Sequence, residues 1–473
     1  MNLRIALFVG AAAGLLAATQ PISDTDLFWH LATGRETLAH GFVRTDIFSW
    51  TVNGAPVSTD QWLGQIALYA AYQAMDWRGI AILRVVAVTA LIALVVLGAS
   101  LGRSVRPLAA VAAAVPALAL TRALWVDRPE LFGLVFFAAL LLLLRVGRGG
   151  DQSRPDDGVR SDERSRPRNR GRHLALVAVV LVIGLWAQVH GSFALGAVLV
   201  VLVCAEGALR DQARRRPYLL TIAGTLLATL LTPAGVATWT APGSHFLSPP
   251  RDIQEWALID VSTPLGIAYL ITLALVLACA FVGRRPEMRE LVVLLPVMFL
   301  SLTAVRQAPL LAIAAAPLFA DRATRVTERL LGAAGSARPL PRWAVTLPVA
   351  LLLGLAAAIA PARPDERAFP TQALASLPSG AGMLARYEWG GWLIWRAPAT
   401  PVFVDGRLTP YSGGVVDDYR RIIAAQPGWE DIVAARAVRT LLVMPSDPVA
   451  VRARELGWHE IATGEGFVLI AVP

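Results

Sequence analysis

Eleven apolar runs constrain this chain more than anything else in it. They cover residues 3–19, 79–100, 107–121, 130–146, 173–188, 193–209, 218–238, 264–283, 290–305, 308–320 and 343–361. A helix needs about 20 mostly apolar residues to cross a hydrocarbon core, and somewhat fewer among neighbours. In lipid every backbone polar group must be satisfied within the segment, so such runs read as helices. Only 16% of the residues are charged and 56% are hydrophobic, against about 25% charged in soluble domains. A soluble globule is excluded, and the fold class is a polytopic α-helical membrane protein with about eleven transmembrane helices. The first run carries Arg4 near its start, then an apolar core and small residues, and resembles a secretory signal in outline. No clear small-residue cleavage site comes after it, so an uncleaved helix is expected.

The polar connections alternate in character. The stretches 102–107, 147–172, 210–217, 283–290 and 321–342 are rich in arginine, and the turns between them carry few. Basic loops stay in the cytoplasm. The amino terminus is then cytoplasmic, and an odd number of spans places the chain from residue 362 outside. The formal charge of +9 is therefore a topology signal, and no nucleic-acid partner is expected. The basic stretch 147–172 has no hydrophobic periodicity and reads as a disordered cytoplasmic loop. Cys204 and Cys279 lie inside apolar runs, as core residues do, and form no disulfide framework or zinc pattern.

This topology gives the outer face unusual chemistry. Residues 20–78 form a long outer loop carrying Asp24, Asp26, His30, Arg35, Asp46 and Asp60. Its segment 59–75 has an N-cap candidate in Thr59 or Asp60 and apolar residues at helical spacing, and reads as an interfacial helix. Four outer turns add Asp127, Arg128 and Glu130; Gln188 and His190; Arg251, Asp252, Glu255 and Trp256; and Arg306 with Gln307. Singly, each has an ordinary explanation. Asp24 or Asp26 can cap a helix starting near Leu27, His190 can be a packed histidine, Arg306 can snorkel, and Glu255–Trp256 can anchor at the interface. Together, polar groups at membrane depth mark a site.

A carboxylate with a free lone pair takes a proton from a hydroxyl, and two acids spaced D-x-D can instead hold a divalent cation, Mg or Mn. The sequence leaves both open for Asp24 and Asp26. His30, four residues after Asp26, shares its face on a helix and can orient it. Arginines such as Arg128 and Arg306 suit a phosphate, since a guanidinium binds two oxygens at once, with His190 nearby. Glu255, Trp256, Gln188 and Asp127 are then candidate substrate contacts. Acids plus arginines at an outer interface fit transfer of a group from a lipid phosphate.

A first helix ending in "SDTDLFWHLATG", a long outer loop with interfacial helices and many further spans resembles the GT-C superfamily of integral-membrane glycosyltransferases, over roughly residues 1–360. The resemblance implies a polyprenyl-phosphate-linked sugar as donor, and an envelope glycan, lipid or protein as acceptor. It also implies that an acid of the first outer loop acts as catalytic base or helps bind metal, a role that falls on Asp24 or Asp26, with Asp26 favoured. The stretch 24–50 with "DRPEL", "VHGSF", "EW" and "RQAP" also resembles a widespread bacterial membrane group without a settled activity. Two other classes remain. A transporter or flippase needs polar groups through the bilayer and usually repeat symmetry, and no repeat is visible. A membrane scaffold presenting the C-terminal domain would leave the outer acids dispensable.

Residues 362–473 change character. Short β-rich runs, helices and Gly/Pro turns predict a small extracytoplasmic α/β domain, set apart from a transmembrane domain at 1–361. "VFVDGR" puts Asp405 and Arg407 at a strand end, where either a ligand or a plain Asp-Gly turn fits. Tyr387, Trp389, Trp392 and Trp395 suit sugar stacking, the membrane interface or the core equally.

Overall fold

The computed structural model describes residues 2–101, 105–148, 165–247, 254–281, 286–332, 343–407, 410–411 and 413–473. Arg251 and Asp252 lie outside them. The chain forms two compact units: residues 1–20 with 81–360, and residues 21–80 with 361–473. The expected division at 361 therefore needs correction. The loop 20–78 folds with the C-terminal segment, not with the helical unit.

The helical unit contains Asn2–Ala18, Pro107–Ala113, Val115–Thr121, Pro129–Gly147, Ser165–Val189, Phe193–Arg210, Arg215–Thr229, Pro264–Phe281, Met288–Ser301, Ala308–Leu331 and Trp343–Ile359, and the later part of Trp62–Ala99. Among the described residues, six helices are long and apolar enough to cross a membrane, and Leu3–Ala18 and Val345–Ile359 are shorter apolar helices. The stripes confirm the solvent. Along Ser165–Val189, Leu174, Val177, Leu181 and Leu185 face outward, while Val179, Ile183 and Trp186 are buried. A helix apolar all round belongs in lipid. Two expectations shift. The run 218–238 is helical only to Thr229, because Pro233 and Gly235, at φ 54°, close it. Residues 165–172, expected to be disordered, open the helix Ser165–Val189, since arginine propagates a helix well; residues 149–164 lie outside the described residues.

The second unit is built on a four-stranded sheet of β1 (Met383–Ala385), β2 (Thr440–Val443), β3 (Glu460–Gly464) and β4 (Phe467–Ala471), in the order β1-β2-β4-β3. β1 runs parallel to β2, and the other pairs are antiparallel. "VFVD" is not a fifth strand. Val402 pairs instead with Ser49 of the loop, its amide donating to Phe48 O at 3.0 Å and its carbonyl accepting from Trp50 at 3.1 Å. Trp50 Nε1 donates to Met383 O and Thr51 Oγ1 to Phe403 O. Trp50 and Val52 pack against the core of Leu384, Phe403, Leu441 and Val468. The loop completes that core, which is why it joins the C-terminal unit.

The expected interfacial helix and the following span appear as one helix, Trp62–Ala99, broken at Met75 and Asp76, where Asp76 has φ 53°. Trp389 and Trp392 are buried, with their indole N–H groups donating to Ala368 O and Glu366 Oε1. They are core residues. Trp395 meets the rings of Tyr69, Tyr72 and Trp77 and lies under the Arg35 guanidinium, 5.1 Å from it.

Candidate active site

Asp24 and Asp26 precede helix Leu27–His40. Asp26 stands at the N-cap position, yet its side chain makes no capping bond. Asp24 Oδ1 accepts the Asp26 amide at 2.9 Å, a local bond that shapes the turn. The Asp26 carboxylate is set against the 405–407 turn, for a Cβ on Gly406 would lie 2.0 Å from Asp26 Oδ1. His30 is buried one turn on. Its ring lies 3.6 Å from that of Trp29, and its Nδ1 is 3.4 Å from Gln65 Nε2.

Beneath this turn lies a buried charge network that the sequence did not reveal. Arg407 Nη1 donates to Asp46 Oδ1 at 2.5 Å and Nη2 to Asp405 Oδ2 at 2.6 Å. Its Nε donates to Asp405 Oδ1 at 2.8 Å. Tyr411 OH donates to Asp405 Oδ2 at 2.6 Å, and the amide and hydroxyl of Ser49 donate to Asp46 Oδ2. Burial alone would lower the Arg407 pKa, but the adjacent carboxylates overcome it and hold the guanidinium charged.

Burial pushes the phenols of Tyr387, Tyr411 and Tyr419 above their ordinary value, and nearby carboxylates push all three further; for Tyr387 these are Asp26, then Asp405 and Glu388. A raised folded-state pKa gives stability that is complete below the unfolded value, about 10 for tyrosine, and is lost as pH climbs above it. Between the unfolded and folded values each phenol should remove about 1.4 kcal/mol per pH unit. In an alkaline titration in detergent, phenolate absorbance from these three should therefore rise together with loss of structure. Phenolate absorbance appearing ahead of that loss would contradict the burial.

The sequence assigned Asp24 and Asp26 a divalent cation as one option. Among the described residues, no group of three or more His, Cys, Asp or Glu side chains is arranged to hold a metal ion. Asp24 Oδ1 accepts a backbone amide and the Asp26 carboxylate is set against Gly406.

The remaining candidates belong to the helical unit, and the structure joins four of them. Arg128 Nη2 donates to Glu255 Oε1 at 2.5 Å, and Arg306 Nη1 lies 3.6 Å from Glu255 Oε2. Arg306 Nη2 donates to Glu130 Oε1 at 2.5 Å, and the Arg306 guanidinium stands 4.7 Å from the Trp256 ring centroid. The amide of Val305 donates to Ala257 O at 3.0 Å, tying two of these turns together. Arg128 and Glu130 flank the start of Pro129–Gly147, and Arg306 lies in the turn Val305–Gln307 that leads into Ala308–Leu331. Two helix N-termini and two guanidiniums in one cluster are the elements of an anion site.

Asp127, Gln188 and His190 are differently engaged. Gln188 Nε2 donates to Leu231 O. His190 Nδ1 lies 2.7 Å from Ser192 Oγ, which also accepts from Trp186 Nε1. Asp127 Oδ2 accepts from Arg84 Nη1 at 2.9 Å, with both side chains 2% exposed, and Arg84 Nη2 donates to Gln20 O. Sequence reasoning passed over Arg84, although a lone arginine in the apolar run 79–100 was the visible signal. Removing one partner of a buried pair costs about 3–5 kcal/mol. Asp127→Ala should lower the thermal unfolding temperature in detergent sharply, and Arg84→Met/Asp127→Leu should recover most of it; an Asp127→Ala protein as stable as wild type would refute the pairing.

The fold defines a class: a multi-pass helical membrane protein with a small sheet-bearing C-terminal unit. Among solved structures, an Archaeoglobus fulgidus oligosaccharyltransferase tethered to an acceptor peptide containing the NVT sequon is similar, at a TM-score of 0.57 and 13% identity over 93% of this chain and 68% of that one. ArnT from Cupriavidus metallidurans is similar both bound to undecaprenyl phosphate and in the apo state. Each has a TM-score of 0.54 and 13% identity over 98% of this chain, covering 96% and 97% of theirs. No family model and no curated protein matches the sequence.

Proposed function

We propose that the protein is a membrane glycosyltransferase that moves a sugar from a polyprenyl-phosphate donor to an acceptor outside the cytoplasm. The observation that carries this reading is likeness in fold, over nearly the whole of both chains, to an ArnT bound to undecaprenyl phosphate. The site chemistry agrees. Asp26 is the proposed base that removes the proton of the acceptor hydroxyl. That oxygen forms a bond to the anomeric carbon, and the bond from that carbon to the phosphate oxygen breaks. In the helical unit, Arg128 and Arg306 are the proposed contacts for a phosphate anion. Glu130 and Glu255 keep the two guanidiniums in place, and Trp256 flattens Arg306. The orientation follows from the basic loops, with the C-terminal unit extracytoplasmic.

The test is a panel of polyprenyl-phosphate sugars, supplied with protein in lipid and candidate acceptors, with release of polyprenyl phosphate as the readout. Release from one sugar, lost in Arg128→Ala and Arg306→Ala, supports the reading. No release from any donor by folded protein overturns it and favours the scaffold.

A further inference from the structure

Gly406 has no catalytic group, yet the structure gives it a specific reason to be glycine. The three heavy atoms nearest to an added Cβ all belong to one carboxyl group: Asp26 Oδ1 at 2.0 Å, Cγ at 3.1 Å and Oδ2 at 3.6 Å. Its backbone is not in the left-handed region, so conformation does not require glycine. Closeness to Asp26 does.

The turn on either side cannot give way. Asp405 and Arg407 are locked into the buried network with Asp46 and Tyr411. Behind the turn, the helix Tyr387–Arg396 packs at backbone distance: a Cβ on Gly390 would lie 2.6 Å from Val404 O, and one on Gly391 2.7 Å from Thr25 O. The far side of Asp26 is fixed too, because its amide is held by Asp24 Oδ1. A Cβ at 406, between two held backbones, would press directly on the Asp26 carboxylate.

We infer that Gly406, carried on the Asp405–Arg407 clamp, is a positioning residue for the Asp26 carboxylate. The C-terminal segment thereby takes part in the reaction through the first-loop acid, without touching substrate. This inference rests on the reading of Asp26 as base, and its test separates the two.

The kinetic arm compares Gly406→Ala with Asp26→Asn, per folded molecule, on the donor that wild type uses. A misplacement of about 1 Å can cost about 10²-fold. Gly406→Ala should lower kcat by about that factor while donor KM changes little, because the arginine cluster is untouched. A merely structural role would reduce the folded fraction and leave kcat per folded molecule unchanged. Wild-type kcat in Gly406→Ala, beside an inactive Asp26→Asn, overturns the inference and leaves the proposed function standing. If wild type turns over no donor, the proposed function fails and thermal unfolding decides the inference alone. Gly406→Ala should then lower the unfolding temperature in the wild-type background and have no effect in Asp26→Ala, where the obstructing carboxylate is gone. Equal effects in both backgrounds overturn it.

Discussion

Asp26→Asn should lose glycosyl transfer by about 10²–10⁴-fold, the span expected when a general base is removed, with unfolding temperature and expression unchanged. The substitution keeps the shape that fits against Gly406 and removes only the ability to take a proton. Asp24→Asn provides the contrast. Its Oδ1 accepts the Asp26 amide, and an asparagine oxygen accepts the same bond. Asp24→Asn should therefore keep transfer within about tenfold of wild type, and Asp24→Ala should lose more because the turn is no longer tied. The assay is release of polyprenyl phosphate under saturating donor. Equal and complete loss in both asparagine variants would point to a shared role for the two carboxylates instead. Wild-type turnover in Asp26→Asn would remove Asp26 from the chemistry altogether.

The asymmetry between these two acids shows where sequence reading stops. Most of the apolar runs and the acidic motif are periodic or local, and among the described residues they fall on helices and a turn as expected, whereas the basic stretch 321–331, expected as a connection, continues the helix Ala308–Leu331. Arg128, Glu255, Trp256 and Arg306 come from three of the four turns that the topology argument groups on one face, whereas Gln188 and His190 of the fourth are bonded elsewhere. What was not legible depends on contacts between distant parts of the chain. Trp50 and Val52 read as loop residues until Phe403 and Leu384 are seen beside them. "VFVD" is a short apolar run of β-prone residues, but its partner is the loop at 48–50 and not the sheet. Asp405 and Arg407 read more readily as a plain turn than as a site, since nothing local announces Asp46 some 361 positions away. Gly406 looks like any Asp-Gly turn, and only Asp26 makes it necessary.

Arg407→Met should destabilise the C-terminal unit more than any other single change. The guanidinium touches two carboxylates that are wholly buried, Asp46 and Asp405, and its own side chain is 8% exposed. Removing it leaves both charges without their counterion in a dry interior. Breaking one buried pair costs about 3–5 kcal/mol, and a whole domain is stable by only about 5–15 kcal/mol. Two orphaned carboxylates therefore approach the entire margin. Arg407→Lys should recover little, because one ammonium cannot reproduce donation from Nε, Nη1 and Nη2 in a single plane. Adding Asp46→Asn and Asp405→Asn to Arg407→Met should restore much of the lost stability, since the cost arises from uncompensated charge and not from the missing contact area. Limited proteolysis and thermal unfolding in detergent would show this order directly. An Arg407→Met protein that unfolds at the wild-type temperature would mean that water reaches both carboxylates. The clamp would then be too loose to hold Gly406 against Asp26, so the same measurement bears on how the unit's core is linked to the acid that precedes Leu27–His40.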